Sequence, residues 1–178
     1  RLSVDFLLGT STTEVTQKIE QGIASIQDNA LGETVTGTVT LCSPEFFSKL
    51  IMHPSIKVAY QYYKNSGENP LKDRLGGMSM HRTFEFGGTL FIEMRDTYAG
   101  QRLIPVGKAY MVPLGTQNAF KTFFSPAHRL GLVNTLGEQV YVFEYADPKG
   151  TKIELETESN FVNALLRPAL VVEFTTSN

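Results

Sequence analysis

The stretch that most constrains this chain is "TGTVTLCSPEFFSKLIMHPSIKVAY", residues 36–60, because its hydrophobic period changes without any linker. Thr38 to Cys42 alternates, with Val39 and Leu41 on one face, which is the two-residue period of a half-buried strand. Ser43 then stands ready to cap a helix whose first position is Pro44, and Phe46, Phe47, Leu50 and Ile51 give that helix a buried face. A second helix opens at Pro54, with Ile56, Ala59, Tyr60 and Tyr63 at helical spacing. A strand that runs straight into a helix places that helix against its own sheet. The pattern therefore excludes purely helical and purely β architectures.

The flanking sequence extends the same alternation of element types. In "STTEVTQKIEQGIASIQDNALG", Ser11 and Glu14 form a capping-box pattern, Val15, Ile19, Ile23, Ile26 and Ala30 make one stripe, and Gly32 is the stop. Gln17, Lys18, Gln21 and Asp28 should face water. Residues 64–80 lack periodicity and read as a long exposed loop of the kind that often carries function. "HRTFEFGGTLFIEMRD" reads as a hairpin turning at Gly87 and Gly88, with strands Thr83 to Phe86 and Thr89 to Arg95. "QVYVFEYADPKGTKIELETES" reads as a second hairpin about Asp147 to Gly150, with Ile153 and Leu155 opposite Lys152, Glu154 and Glu156. "ALLRPALVVEFTT" supplies a last apolar strand. The fold class is α+β, and the predicted core joins Ile19, Ile23, Val39, Phe46, Phe47 and Leu50.

Composition narrows the function classes. At 178 residues with 42% hydrophobic and 19% charged residues, the chain can bury one core or two small lobes sharing one. A net charge of −2 argues against a dedicated polyanion binder. No apolar run reaches the roughly 18 residues of a membrane span, and no signal-peptide pattern opens the chain. The lone Cys42 excludes an internal disulfide and suits folding in a reducing compartment such as a cytoplasm. The opening "RLSVDFLLG" starts at Arg1 in apolar material and reads as a piece of a longer polypeptide.

Catalytic signatures are weak, and neither a metal nor a cofactor is expected. His53, His81 and His128 lie far apart in sequence, outside any paired ligand motif, so structural or surface roles outweigh ligation. Ser79 with His81 or His128 gives a small-hydrolase reading, against the plainer one of an exposed loop serine. Glu85, Glu93 and Asp96 could meet across the first hairpin, although solvent-facing acids on a strand are far commoner. The segment "GKAYMVPLGTQNAFKTFFSPA" begins as a strand that stops at Pro113 and Gly115, and then places Phe120, Phe123 and Phe124 on a stretch too short for a regular helix and too broken for a strand. Such a cluster, with Lys121 as its basic neighbour, fits a core or subunit contact better than a ligand platform.

Four blocks in order, "CSPEFFSKLIMHPSIKVAY", "FEFGGTLFIEMRD", "IPVGKAYMVPLGTQNAFKTFFSPAHRLGLVNTLG" and "DPKGTKIELETESN", closely resemble the phage major capsid protein E family, the lambda-type shell proteins of tailed phages. The likeness runs from Val4 nearly to the end. Members are longer, carrying an N-terminal arm, an extended loop and a spine helix ahead of this region. The resemblance implies the tailed-phage, Hong Kong 97-like capsid fold, with an axial domain over residues 10–135 and part of a peripheral domain over residues 1–9 and 136–158. Residues 159–178 would then return to pack on the axial domain. It also implies a shell protein with no enzyme activity, made in a bacterial host's cytoplasm and residing in the virion capsid.

The partners so implied are other copies of itself in hexamers and pentamers, with a scaffold or decoration protein as a further candidate. DNA would be enclosed without specific recognition, and no membrane is involved. Phe120, Phe123, Phe124, Lys72 and Arg74 become the candidate subunit or domain contacts, with residues 66–78 pointing towards the capsomer axis. Residues 1–178 alone should be a monomer or a weak oligomer, because a partial interface falls short of the roughly 4–15 kcal/mol that association costs. Within the fold, the rival reading is an encapsulin-like compartment shell.

Overall fold

The computed structural model describes residues 2–65 and 81–177. Two compact units divide the chain, one formed by residues up to Gln117 together with those from Arg167, the other by Asn118–Leu166. This division falls elsewhere than the boundaries expected from sequence. Residues 2–9 belong with the larger unit, and residues 118–135 with the smaller.

The larger unit is a six-stranded sheet covered by helices. Its strands are β1 (Ser3–Asp5), β2 (Gly37–Cys42), β3 (Thr83–Phe86), β4 (Thr89–Glu93), β7 (Lys108–Leu114) and β12 (Val172–Thr175), in the order β1-β12-β7-β2-β4-β3. Between β4 and β7 lies the small hairpin β5 (Thr97–Tyr98) and β6 (Gln101–Arg102). β1 runs parallel to β12 and β2 parallel to β4, while the other neighbours are antiparallel. The hairpin β3–β4 turns at Gly87 (φ 61°) and Gly88 (φ 81°), the left-handed pair a two-residue type I′ turn requires. Pro113 lies inside β7, but β12 pairs only as far as Met111, so beyond that point a missing N–H costs no ladder bond on that side.

Helix α1 is Val15–Asn29, α2 is Pro44–Met52 and α3 is Pro54–Asn65. α2 starts as its sequence dictates, the Ser43 hydroxyl accepting from the Phe46 N–H at 3.3 Å ahead of Pro44. α1 does not use the expected capping box. Its N-cap is Glu14, without a side-chain cap bond, because residues 7–13 are already held in backbone turns by Thr10 N–H to Leu7 O and Thr13 N–H to Thr10 O.

The core lies on one face of the sheet. Phe6 packs against Phe46 (centroids 5.4 Å) and Phe174 (4.5 Å), and Ile19, Ile26, Phe47, Leu50, Ile56, Phe84, Phe91 and Met111 are fully enclosed with them. Of the predicted core, Ile23 and Val39 are only half-buried. The strand β2 turns its other face inward, burying Thr38, Thr40 and Cys42. Its threonines are buried at little cost because their hydroxyls are satisfied. Thr40 and Thr89 hydroxyls meet at 3.0 Å, and Thr38 donates to the Gly88 carbonyl at 3.3 Å.

The smaller unit holds two antiparallel ribbons, β8 (Phe120–Ser125) with β11 (Asn160–Leu165), and β9 (Tyr141–Ala146) with β10 (Ile153–Glu158). The segment read as too broken for a strand is thus a regular one. Its partner lies some 40 residues away, where no local signal points to it. The turn after β9 closes through Gly150 N–H to Asp147 O at 2.7 Å, with Gly150 at φ 67°.

Candidate functional site

The phenylalanine cluster is neither a core nor an enclosed pocket. Phe120 and Phe123 are 47% and 49% exposed, and in the partner strand Phe161 and Val162 are each 60% exposed. The register sets Phe124 opposite Phe161, Phe123 opposite Val162 and Phe120 opposite Leu165. Successive side chains alternate across a ribbon, so both faces of β8–β11 carry exposed apolar groups. A shallow hollow of about 450 Å³ lies beside it, lined by Phe123, Phe124, His128, Asn160 and Phe161 among others.

The second ribbon is two-faced. On one side Arg129 lies 4.3 Å from the Phe143 ring centroid and 5.3 Å from that of Tyr145, while its guanidinium donates to Glu156 at 2.5 Å. Tyr141 anchors the same side, its hydroxyl donating to the Leu136 carbonyl and accepting from the Glu138 N–H. The opposite face shows Val142, Ile153 and Leu155, each more than half exposed. Within this unit the buried hydrophobic residues are Ala119, Ala127 and Tyr141, two of them alanines.

The titratable residues singled out from sequence are occupied structurally. His53 is buried, its Nδ1 2.6 Å from the Ser55 hydroxyl and its Nε2 3.0 Å from the Thr10 carbonyl, so it ties the α2–α3 junction to the chain ahead of α1. His81 faces Asp96 at 3.5 Å. His128 is exposed, and its backbone N–H donates to Glu158. Glu85, Glu93 and Asp96 do not converge, since Glu85 is exposed on the sheet face opposite Glu93. Glu93 is buried and gripped by two guanidiniums, Arg82 at 2.5 and 2.9 Å and Arg95 at 2.8 Å. Hydrogen bonds from Arg82 hold its carboxyl below the usual glutamate range, Arg95 adding to them against the cost of burial. Burial pushes the Cys42 thiol well up, and the Glu93 charge adds to that.

Ser79, Lys72, Arg74 and the proposed axis-facing stretch 66–78 lie outside the described residues. Among the described residues no group of three or more histidine, cysteine or acidic side chains is placed to hold a metal. No helix there is long and apolar enough to cross a membrane. What the described surface offers is exposed apolar area. The sequence singled out the phenylalanines of β8 and not Phe161, Val162 and Leu165 of the partner strand, for which the only signal was a short apolar run in "NFVNALL".

Comparison with known proteins gives this surface a context. The family model described as phage major capsid protein E matches residues 1–176. This chain belongs to that family. Among curated members, it is 44% identical to the major capsid protein of Pseudomonas phage KPP10 over 184 residues, covering 97% of this chain and 52% of that protein. It is 27% identical to the major capsid protein of Salmonella phage Felix O1 (isolate Felix O1-VT1), covering 87% of this chain and 50% of that one. The chain therefore spans about half the length of these phage major capsid protein E relatives.

The crystal structure of a phage-related protein from Bordetella bronchiseptica RB50 aligns over 98% of this chain and 56% of that one with a TM-score of 0.51 at 12% identity, a likeness of fold alone. The α+β capsid fold implied by the sequence resemblance is the one observed. Likeness to the SrpI encapsulin of Synechococcus elongatus PCC 7942 stops at a TM-score of 0.25, too low to bear on function.

Proposed function

We propose that this chain is part of a structural shell subunit, which assembles with copies of itself into hexamers and pentamers of an icosahedral phage or prophage head. The larger unit corresponds on this reading to the axial domain and the smaller to the peripheral domain. The role is mechanical, with no catalytic step. Packaged DNA is enclosed without specific recognition, a role that the net charge of −2 over these 178 residues suits. The subunit is made in the bacterial cytoplasm and ends in the virion, and a scaffold or decoration protein is a further candidate partner.

One observation carries the reading. The smaller unit exposes Phe120, Phe123, Phe161, Val162, Ile153 and Leu155 while burying almost nothing of its own. Exposed apolar side chains gathered on so small a unit are the kind of surface that contact with other protein covers. Family membership supports a contact made in a shell.

The complete gene, expressed in a bacterial host, should yield closed particles of uniform size by sedimentation and electron microscopy. Phe161→Asp, at a position already 60% exposed, should leave the circular dichroism spectrum unchanged and abolish particles. A parent protein that remains a monomer, or stops at a two-fold dimer, would refute the shell reading.

A further inference from the structure

Ser79, the serine singled out from sequence, lies outside the described residues, but the fold assembles a serine–histidine pair elsewhere. At the junction of α2 and α3 the Ser55 hydroxyl lies 2.6 Å from Nδ1 of His53, and Nε2 of the same ring lies 3.0 Å from the Thr10 carbonyl. The carbonyl sets the tautomer. It can only accept, so Nε2 carries the proton, and the neutral ring turns a bare Nδ1 towards Ser55, whose O–H donates that bond. A serine in the first turn of a helix commonly bonds to nearby backbone, whereas the bond Ser55 makes is to the imidazole. A hydroxyl donating to a base that a third group orients is the arrangement that activates serine as a nucleophile.

The two side chains differ in exposure as such a pair requires. His53 is 2% exposed and held at both ring nitrogens, so the fold sets its orientation. Ser55 is exposed. It lines a groove of about 540 Å³ between α3 and the edge strand β3, whose described walls are Val58, Ala59 and Tyr62 on one side and Phe84 and Phe86 on the other. The floor is firm, because Phe84 is buried, stacks on Phe86 at 5.7 Å and meets the Tyr60 ring edge-on at 5.2 Å. Glu85 is the single charged residue of the lining among the described residues, so the groove suits a neutral apolar group and disfavours an anion. The first turn of α3 holds no acidic residue, and the partial positive charge of the helix start favours negative charge developing beside Ser55.

We propose that Ser55 is an acyl-accepting serine, which takes a short apolar acyl group from a neutral ester or thioester lying in the α3–β3 groove. Oγ of Ser55 bonds to the carbonyl carbon while its proton passes to Nδ1 of His53. The donor's carbon–oxygen or carbon–sulfur bond then breaks, and the proton leaves with the departing alcohol or thiol. Ser55 is left esterified and His53 neutral again. This chemistry is separate from the shell reading, since no step of it needs a second copy.

The complete protein is treated near neutral pH with p-nitrophenyl butyrate and, in parallel, with diisopropyl fluorophosphate, and peptide mass mapping locates the adduct. One adduct per chain is expected, on Ser55, forming about a hundredfold faster than on other exposed serines. Ser55→Ala, at an exposed position, should keep the parent's circular dichroism spectrum and lose the adduct. His53→Gln keeps a donor for the Thr10 carbonyl but offers Ser55 no base, and should slow labelling by about a hundredfold or more. Should that variant not fold, Val58→Glu, at a position 73% exposed, tests the groove instead and should slow the reaction with the butyrate ester. A folded parent whose Ser55 reacts no faster than its other serines would overturn the proposal, as would labelling of folded His53→Gln at the parent's rate, or of Val58→Glu with the butyrate ester at that rate. Each of these results leaves the shell reading standing, because that rests on assembly.

Discussion

Gly22 sits in the middle of α1, and it decides between two opposed expectations. On helix propensity alone, Gly22→Ala should stabilise the protein by about 1 kcal/mol, since glycine in a helix interior gives up backbone entropy that alanine does not. The fold says otherwise. A Cβ at Gly22 would lie 2.7 Å from Cζ of Phe174, 3.0 Å from its Cε1 and 3.2 Å from Sδ of Met111. The Phe174 ring cannot step aside, because it is fully buried and already packed 4.5 Å from the ring of Phe6. Forcing an extra methyl into a filled core costs about 1–3 kcal/mol. With contacts this short the upper part of that range applies, and subtracting the propensity gain leaves a net loss of about 1–2 kcal/mol.

For a chain of this length such a loss lowers the melting temperature by roughly 2–8 °C, where propensity alone would raise it by roughly 2–4 °C. Differential scanning calorimetry of Gly22→Ala beside the parent gives the sign. In a Phe174→Leu background, where the obstructing ring atoms are gone, the same substitution should recover most of its loss. A Gly22→Ala protein that melts higher than the parent would refute the claim that the close approach of α1 to β12 requires glycine.

Phe47→Ala should cost about 3–5 kcal/mol, because the ring is fully buried under the Arg82 guanidinium 5.1 Å away, and an unchanged urea midpoint would contradict that burial. Glu93 contributes stability that is fully present above the ordinary glutamate pKa and lost as pH falls through its depressed folded value. Glu93→Gln should therefore be less stable by on the order of 1–3 kcal/mol near neutrality, with the gap to the parent closing in acid, as melting curves from about pH 7 down to about pH 3 would show. Cys42 should react with a thiol reagent only as fast as the protein unfolds, since its thiol is buried and its pKa pushed up, and prompt modification of the native protein would count against its placement.

Several features were settled by the sequence because their physics is local. Ser43 followed by Pro44 starts α2, paired glycines at 87 and 88 turn β3 into β4, and Asp147 to Gly150 closes the second hairpin, each through groups within a few residues of one another. The four blocks also carried the family, since extended resemblance samples the whole fold at once. Facing and partnership were not local. Alternation shows that β2 has two faces, yet only the helices packed against it determine that Thr38, Thr40 and Cys42 go inward while Val39 and Leu41 stay half-exposed. Buried threonines read as polar until Thr89 and the Gly88 carbonyl are found beside them. Phe120 to Ser125 becomes a strand only because Asn160 to Leu165 returns alongside, and the phenylalanines stay exposed because a lone ribbon has no layer to bury them against. The division at Gln117 and Arg167 is likewise tertiary, set by which distant segments pair rather than by any linker composition.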